Sequence, residues 1–146
     1  MIDYIANGIP NLSVVSLPKN IWRGGNPLTV LGWDCLRNSG LRRVVKLTPD
    51  NECPPPDGFD LIRCPITQMA QGGDDLKTLY AIAVDSITDN TFVCCLHGQD
   101  RTGVAIALYR LKTGWQFHRA DTELMANGFH TDPPQLWNFW KAHAQV

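Results

Sequence analysis

Apolar and polar residues change rhythm several times along the chain, and each rhythm predicts an element. Ile21-Trp22-Arg23 reads as a short strand closed by Gly24-Gly25-Asn26-Pro27. A helix is expected from Leu28, with Leu31, Cys35 and Leu36 on one face and Gly40 as its stop. Residues 41–47 read as a strand centred on Val44-Val45, and residues 48–58, with Pro54-Pro55-Pro56, as irregular chain. Residues 59–66 alternate as a strand, and residues 67–73 read as a loop entering a helix capped by Asp74 or Asp75. That helix carries Leu76, Leu79, Tyr80, Ala83 and Ile87 in one amphipathic stripe. Residues 91–95 are short, apolar and β-branched at the start, the mark of a buried strand. Residues 103–111 are apolar nearly all round, which predicts a buried helix. Two further helices are expected, near residues 118–127 and 133–144, the last opening on proline and presenting Leu136, Phe139, Trp140 and His143. Strands that alternate with helices and then give way to helices predict an α/β fold around a central sheet. No repeat, low-complexity tract or linker interrupts the pattern, so residues 1–146 are expected to form one domain.

Composition narrows the function classes. A chain of 146 residues buries roughly 68–70% of its unfolded surface. Its 44% hydrophobic and 18% charged content is that of a water-soluble globule. A net charge of −1 argues against a broad basic face for nucleic acid or anionic lipid, while leaving room for a local pocket that binds one phosphate. Residues 1–10 lack the basic and apolar regions of a targeting signal, and no apolar run is long enough for a membrane span. The five cysteines, at 35, 53, 64, 94 and 95, are odd in number and lack paired metal-ligand spacing. His118, His130 and His143 show no metal-ligand arrangement either. Reduced thiols in a cytoplasm are the simplest expectation.

The richest chemistry lies in Cys95-Leu96-His97-Gly98-Gln99-Asp100-Arg101-Thr102-Gly103. The segment runs from the end of the expected buried strand into the expected buried helix. A helix start offers unpaired N–H groups and a positive dipole end, and a loop curled over it can aim several N–H groups at one phosphate. Residues 96–101 would form that cradle, with Gly98 free to turn and the planar Arg101 fork able to bind two phosphate oxygens. Such surroundings bring a cysteine from about 8.5 down to roughly 3.5–7.5. A Cys95 thiolate could then displace an alcohol from a phosphate, and water could clear the thiophosphate. Thr102 could donate to the sulfur as it leaves. Only Cys95 has arginine at the sixth following position; Cys94 would face Asp100. Taken singly, each cysteine is an ordinary core residue; the joint pattern favours catalysis.

This loop resembles the signature of the protein tyrosine phosphatase superfamily, and the chain is similar to its small dual-specificity members. Trp22-Arg23-Gly24-Gly25-Asn26-Pro27, residues 40–47 and Ala107-Leu108-Tyr109-Arg110 add support. The resemblance implies a central, mostly parallel sheet flanked by helices, phosphomonoester hydrolysis without a metal or other cofactor, and a phosphorylated substrate: phosphoprotein, phosphoinositide or inositol phosphate. The family usually has histidine where this chain has Cys94, which puts the degree of thiolate activation in question. It also needs a general acid. Many members take an aspartate from the loop before the nucleophile strand, which here would be Asp74 or Asp75, each also an ordinary helix N-cap. Aspartate just before the signature arginine serves as the proposed acid in myotubularin-like lipid phosphatases, which points to Asp100. Asp100 is preferred here, with Asp75 second.

Arg23, Lys46 and Arg63 could add phosphate contacts, against the ordinary roles of scaffold or solvated strand-end charges. Trp137, Phe139 and Trp140 read as core, and Glu123 as surface or a local ion pair. Two rival functions remain: a catalytically weak phosphate-binding module, and a sulfurtransferase, which the Arg101-Thr102-Gly103 ending disfavours.

Overall fold

A computed structural model of the protein describes residues 5–48, 55–66 and 74–145. Its elements run β1 (Ile5–Ala6), β2 (Ile9–Pro10), β3 (Ser13–Ser16), β4 (Ile21–Gly25), α1 (Val30–Asn38), β5 (Arg43–Lys46), β6 (Asp60–Arg63), α2 (Asp74–Asp85), β7 (Thr91–Cys95), α3 (Arg101–Lys112), α4 (Phe117–Ala126), α5 (Gln135–Lys141) and a final 3₁₀ turn, Ala142–Gln145. The main sheet has the order β3-β4-β7-β5-β6, with β4, β7, β5 and β6 mutually parallel and β3 antiparallel at one edge. The expected α/β architecture is therefore present. The strands before residue 21, including the β1–β2 hairpin, gave no periodic signal because they are two to four residues long.

β7 lies at the centre, and all five of its residues are buried. Because strand side chains alternate between faces, its neighbouring cysteines part company. Cys94 joins Ile9, Trp33, Leu36, Leu41, Val44 and Phe92 beneath α1, while Cys95 joins Val45, Val93, Tyr80, Val104 and Trp140 on the opposite face. The Tyr80 stripe of α2 packs as expected, with Leu76, Tyr80 and Ala83 almost fully buried. Trp140 is fully buried, stacks on Phe117 at 4.6 Å and donates to Asp121 at 2.8 Å.

The first helix differs from expectation. It begins at Val30, and Leu31 is 71% exposed while Cys35 is half-buried. The buried face is Gly32, Trp33 and Leu36. Gly32 sets this rotation: a Cβ there would lie 2.8 Å from the Pro27 ring and 3.0 Å from Ile9, so the missing side chain lets the helix approach. A glycine used as a contact surface carries no apolar signal. The loop expected at 67–73, the capping residue of α2 and Cys53 lie outside the described residues or side chains. No helix among the described residues is long and apolar enough to cross a membrane.

Candidate active site

The parallel register brings the end of β7 beside the glycine turn of β4. Gly25 pairs with Cys95, and the Asn26 N–H donates to the Cys95 carbonyl at 2.7 Å. Beyond Cys95 the chain bends over this turn and enters α3 at Arg101. The packing is backbone on backbone. Gly98 has φ +78°, and a Cβ there would stand 2.3 Å from the Gly24 carbonyl carbon and 2.6 Å from the Gly25 nitrogen. A Cβ on Gly25 would meet the Leu96 carbonyl oxygen at 2.6 Å. Two glycines, Gly98 and Gly25, are thus needed on the two sides of one contact, while a Cβ on Gly24 would meet Ile9 and the Pro10 carbonyl instead.

Polar side chains from distant elements brace the loop. Arg23, 3% exposed, donates from Nη2 to the Gly98 carbonyl at 3.0 Å. Asn11, in the turn between β2 and β3, donates to the His97 carbonyl at 2.9 Å. Tyr80 on α2 donates its hydroxyl to the Arg101 carbonyl at 3.0 Å, and Arg101 Nη1 donates to the Ile66 carbonyl at 2.9 Å. Burial beside Cys95 and Asp100 pushes the Tyr80 hydroxyl well above its ordinary range, so it remains a donor. Arg23 therefore acts as scaffold.

A cavity of about 70 Å³ opens over the loop, lined by Cys95, Leu96, His97, Asp100 and Arg101. Cys95 is 2% exposed at its floor. Arg101 Nε and Thr102 Oγ1 are buried donors without a hydrogen-bond partner among the described residues. Thr102 Oγ1 thus makes no hydrogen bond to the Cys95 sulfur in this structure. Such groups cost free energy unless a ligand meets them. Gln99 is 2% exposed and does not line the cavity. Burial lowers the His97 imidazole from its ordinary 6.5, which favours its neutral form.

Asp100 lines the cavity, whereas Asp75 sits exposed in the first turn of α2 and is not among its lining residues. Asp100 occupies the cap position of α3 yet makes no capping hydrogen bond with its side chain. It instead meets His130, which shows no metal-ligand pattern and no other functional signal in the sequence. Asn11 and His130 lie 86 and 30 residues from their loop partners, so no local sequence signal could have found them.

All thirteen lysines and arginines fall within the described stretches, and Arg101 alone lines the cavity. Lys46 is fully buried; its register with Cys94 and with Arg63 sets all three on the sheet face opposite Cys95. Neither Lys46 nor Arg63 therefore adds a contact beside Cys95, and the buried Lys46 is not the solvated strand-end charge of the ordinary reading either. Of the two readings of Glu123, surface residue or local ion pair, the structure shows an ion pair, made not locally but across helices with Arg110 at 3.0 Å. A larger cavity of about 210 Å³, between Tyr80, Leu108 and Phe139, is apolar and does not include Cys95.

No protein-family model and no curated protein sequence matches the chain. Its architecture does have counterparts among solved structures. The core catalytic domain of the PP-IP phosphatase SIW14 from S. cerevisiae superposes with a TM-score of 0.69 at 18% identity, over 90% of this chain and 83% of that one. P. aeruginosa TpbA gives 0.68 at 20%, over 97% and 89%. Human DUSP28 gives 0.70 at 15%, over 93% and 95%. With its mostly parallel sheet and a cysteine-to-arginine loop at the centre of that sheet, the chain has the fold of the protein tyrosine phosphatase-like, dual-specificity-type cysteine phosphatases.

Proposed function

We propose that residues 1–146 act as one metal-independent phosphomonoesterase that works through a cysteinyl-phosphate on Cys95. The observation that carries this reading is the convergence of Cys95, Asp100 and Arg101 on one small cavity, with Arg101 Nε a buried donor that has no partner among the described residues. Cys95 Sγ, as thiolate, attacks phosphorus; the P–O bond to the alcohol breaks, and Asp100 gives its proton to the departing oxygen. Water then attacks phosphorus, Asp100 takes a proton from it, and the P–S bond breaks to release inorganic phosphate and the thiolate. Arg101 and the loop N–H groups of residues 96–101 meet the charge on the equatorial oxygens. Thr102 Oγ1, buried and unpaired, supplies a donor for the sulfur as it departs.

The cation inventory bears on substrate. One arginine at the cavity suits a single phosphate, and no other lysine or arginine lines it to hold a second. Among phosphoproteins, phosphoinositides and inositol phosphates, this favours esters with one phosphate at the reacting end. TpbA has been solved with phosphotyrosine bound, which fits that choice, whereas SIW14 is a PP-IP phosphatase. The free thiol suits a reducing cytoplasm.

Hydrolysis of an aryl phosphate, inhibited by vanadate and abolished in Cys95→Ser, is the expected result. Phosphate binding without turnover would support the phosphate-binding module instead. Phosphotyrosine peptides are expected to be better substrates than inositol polyphosphates.

A further inference from the structure

The Asp100 carboxylate is held from outside the loop. His130, four residues beyond the end of α4, donates its backbone N–H to Asp100 Oδ1 at 2.8 Å, and its ring Nδ1 lies 2.9 Å from Oδ1 and 3.2 Å from Oδ2. The Asp100 side chain is 12% exposed and that of His130 42%. The aspartate is therefore enclosed at the cavity, while the histidine reaches from there to solvent.

We propose that His130 is the positioning residue for the Asp100 acid. This inference rests on the phosphatase reading and deepens it. An aspartate at a helix start ordinarily turns its carboxylate onto the helix N–H groups; here that bond is absent and the carboxylate is turned to His130. The backbone N–H fixes where Oδ1 lies. The ring Nδ1–H fixes the rotation of the carboxyl plane, since it bridges toward both oxygens. With His130 in its Nδ1–H tautomer, Oδ1 accepts both the backbone and the ring N–H, and the proton of the neutral acid belongs on Oδ2. That is the proton the departing oxygen receives, and Oδ2 takes one back from water in the second step. His130 need not change protonation in either step.

Other titratable groups face this pair: Cys95, His97, Arg101 and Tyr80 all interact electrostatically with members of the cluster. A pH profile would mix their contributions, so the discriminating readout is the dependence on leaving group. In wild type, kcat/KM should vary weakly across aryl phosphates of graded leaving-group basicity, because a well-placed proton compensates a poor leaving group. His130→Ala should lower kcat/KM for phenyl phosphate about tenfold, the worth of one charge-assisted hydrogen bond, and change that for dinitrophenyl phosphate by less than about twofold. Asp100→Asn should show the same selectivity with a larger loss, on the order of 10²-fold. Adding His130→Ala to Asp100→Asn should then cost nothing further, because both act through one carboxyl. His130→Asn, which keeps a donor near the Nδ1 position, should recover most of the phenyl phosphate rate.

An equal loss with both substrates, or a further tenfold loss on the Asp100→Asn background, would overturn the inference. If His130→Ala fails to fold, His130→Asn decides alone, and a leaving-group dependence as steep as that of Asp100→Asn counts against the proposal. An inactive wild type overturns the phosphatase reading itself. An active wild type with an indifferent His130→Ala overturns only this inference.

Discussion

Cys94 and Cys95 are adjacent in the chain and opposite in surroundings. Cys94 sits in the apolar layer beneath α1 with no exposed surface, and burial, followed by the nearness of Cys95, pushes its thiol far above the ordinary value of 9.0. Only thiolates alkylate at useful rates, so Cys94 should be inert. Cys95 faces the cavity beside Arg101. Treatment with iodoacetamide at neutral pH should therefore modify Cys95 and leave Cys94 intact in peptide mass spectra, with vanadate protecting Cys95. Labelling of Cys94 at a comparable rate would contradict the assignment. The same packing explains why cysteine is accommodated where similar phosphatases carry histidine. Cys94→His would force a larger ring among Trp33, Leu36 and Phe92, and should cost about 1–3 kcal/mol in a denaturant titration.

Among the elements, the decisive contact is between the β4 turn and the loop after β7. The loop keeps its curvature because Gly98 lies against Gly24 and Gly25 with no side chain between them. Gly98→Ala meets two obstacles at once: a positive φ of +78° and a Cβ placed inside the Gly24 backbone. The loop must lift from β4, which breaks the Arg23 bond to the Gly98 carbonyl. Turnover should fall by at least about 10²-fold, the cost of misplacing reacting groups by an ångström, while circular dichroism still reports a folded sheet and helices. Wild-type kinetics in this variant would remove the contact from the argument. The contact also shows what was legible beforehand. Strand, loop and helix around Cys95 could be read because they are continuous in sequence and strongly patterned. Trp22-Arg23-Gly24-Gly25 could be noticed, yet its purpose could not, since the pairing of Gly25 with Cys95 depends on sheet order. Asn11 and His130 were invisible for the same reason, each meeting the loop through a turn far away in sequence. The α1 face was misread because Gly32 makes contact by having no side chain. Lys46 reads from the sequence as a solvated strand-end charge or an added phosphate contact, but it is fully buried and its register with Cys94 turns it to the other face.

Across the whole molecule, the groups that brace the site also shape its dependence on pH. Tyr80 is 1% exposed, and its hydroxyl is raised above the ordinary 10.0 by burial first and by the nearness of Cys95 second. In the unfolded chain the phenol loses its proton near 10, while in the fold it keeps it, so above that pH the native state binds more protons than the unfolded state. Stability must then fall as pH rises, and the contribution is fully present only below about pH 10. Cys64 and Cys94, both raised by burial from 9.0, act in the same direction from about one pH unit lower. His97 closes the window from the acid side. Its imidazole is lowered from 6.5, so the unfolded state binds the proton first as pH falls below that value, and stability declines. A plateau between about pH 6.5 and 9 follows. Tyr80→Phe separates the two roles of the phenol. It removes the bond to the Arg101 carbonyl, which should cost about 1 kcal/mol at pH 8, and it removes the ionisation. Thermal melts of wild type and variant should therefore differ at pH 8 and converge toward pH 11. Curves that stay parallel would show that Tyr80 ionises in the fold as it does in water, and that the loop is not sealed beneath Arg101 as the structure describes.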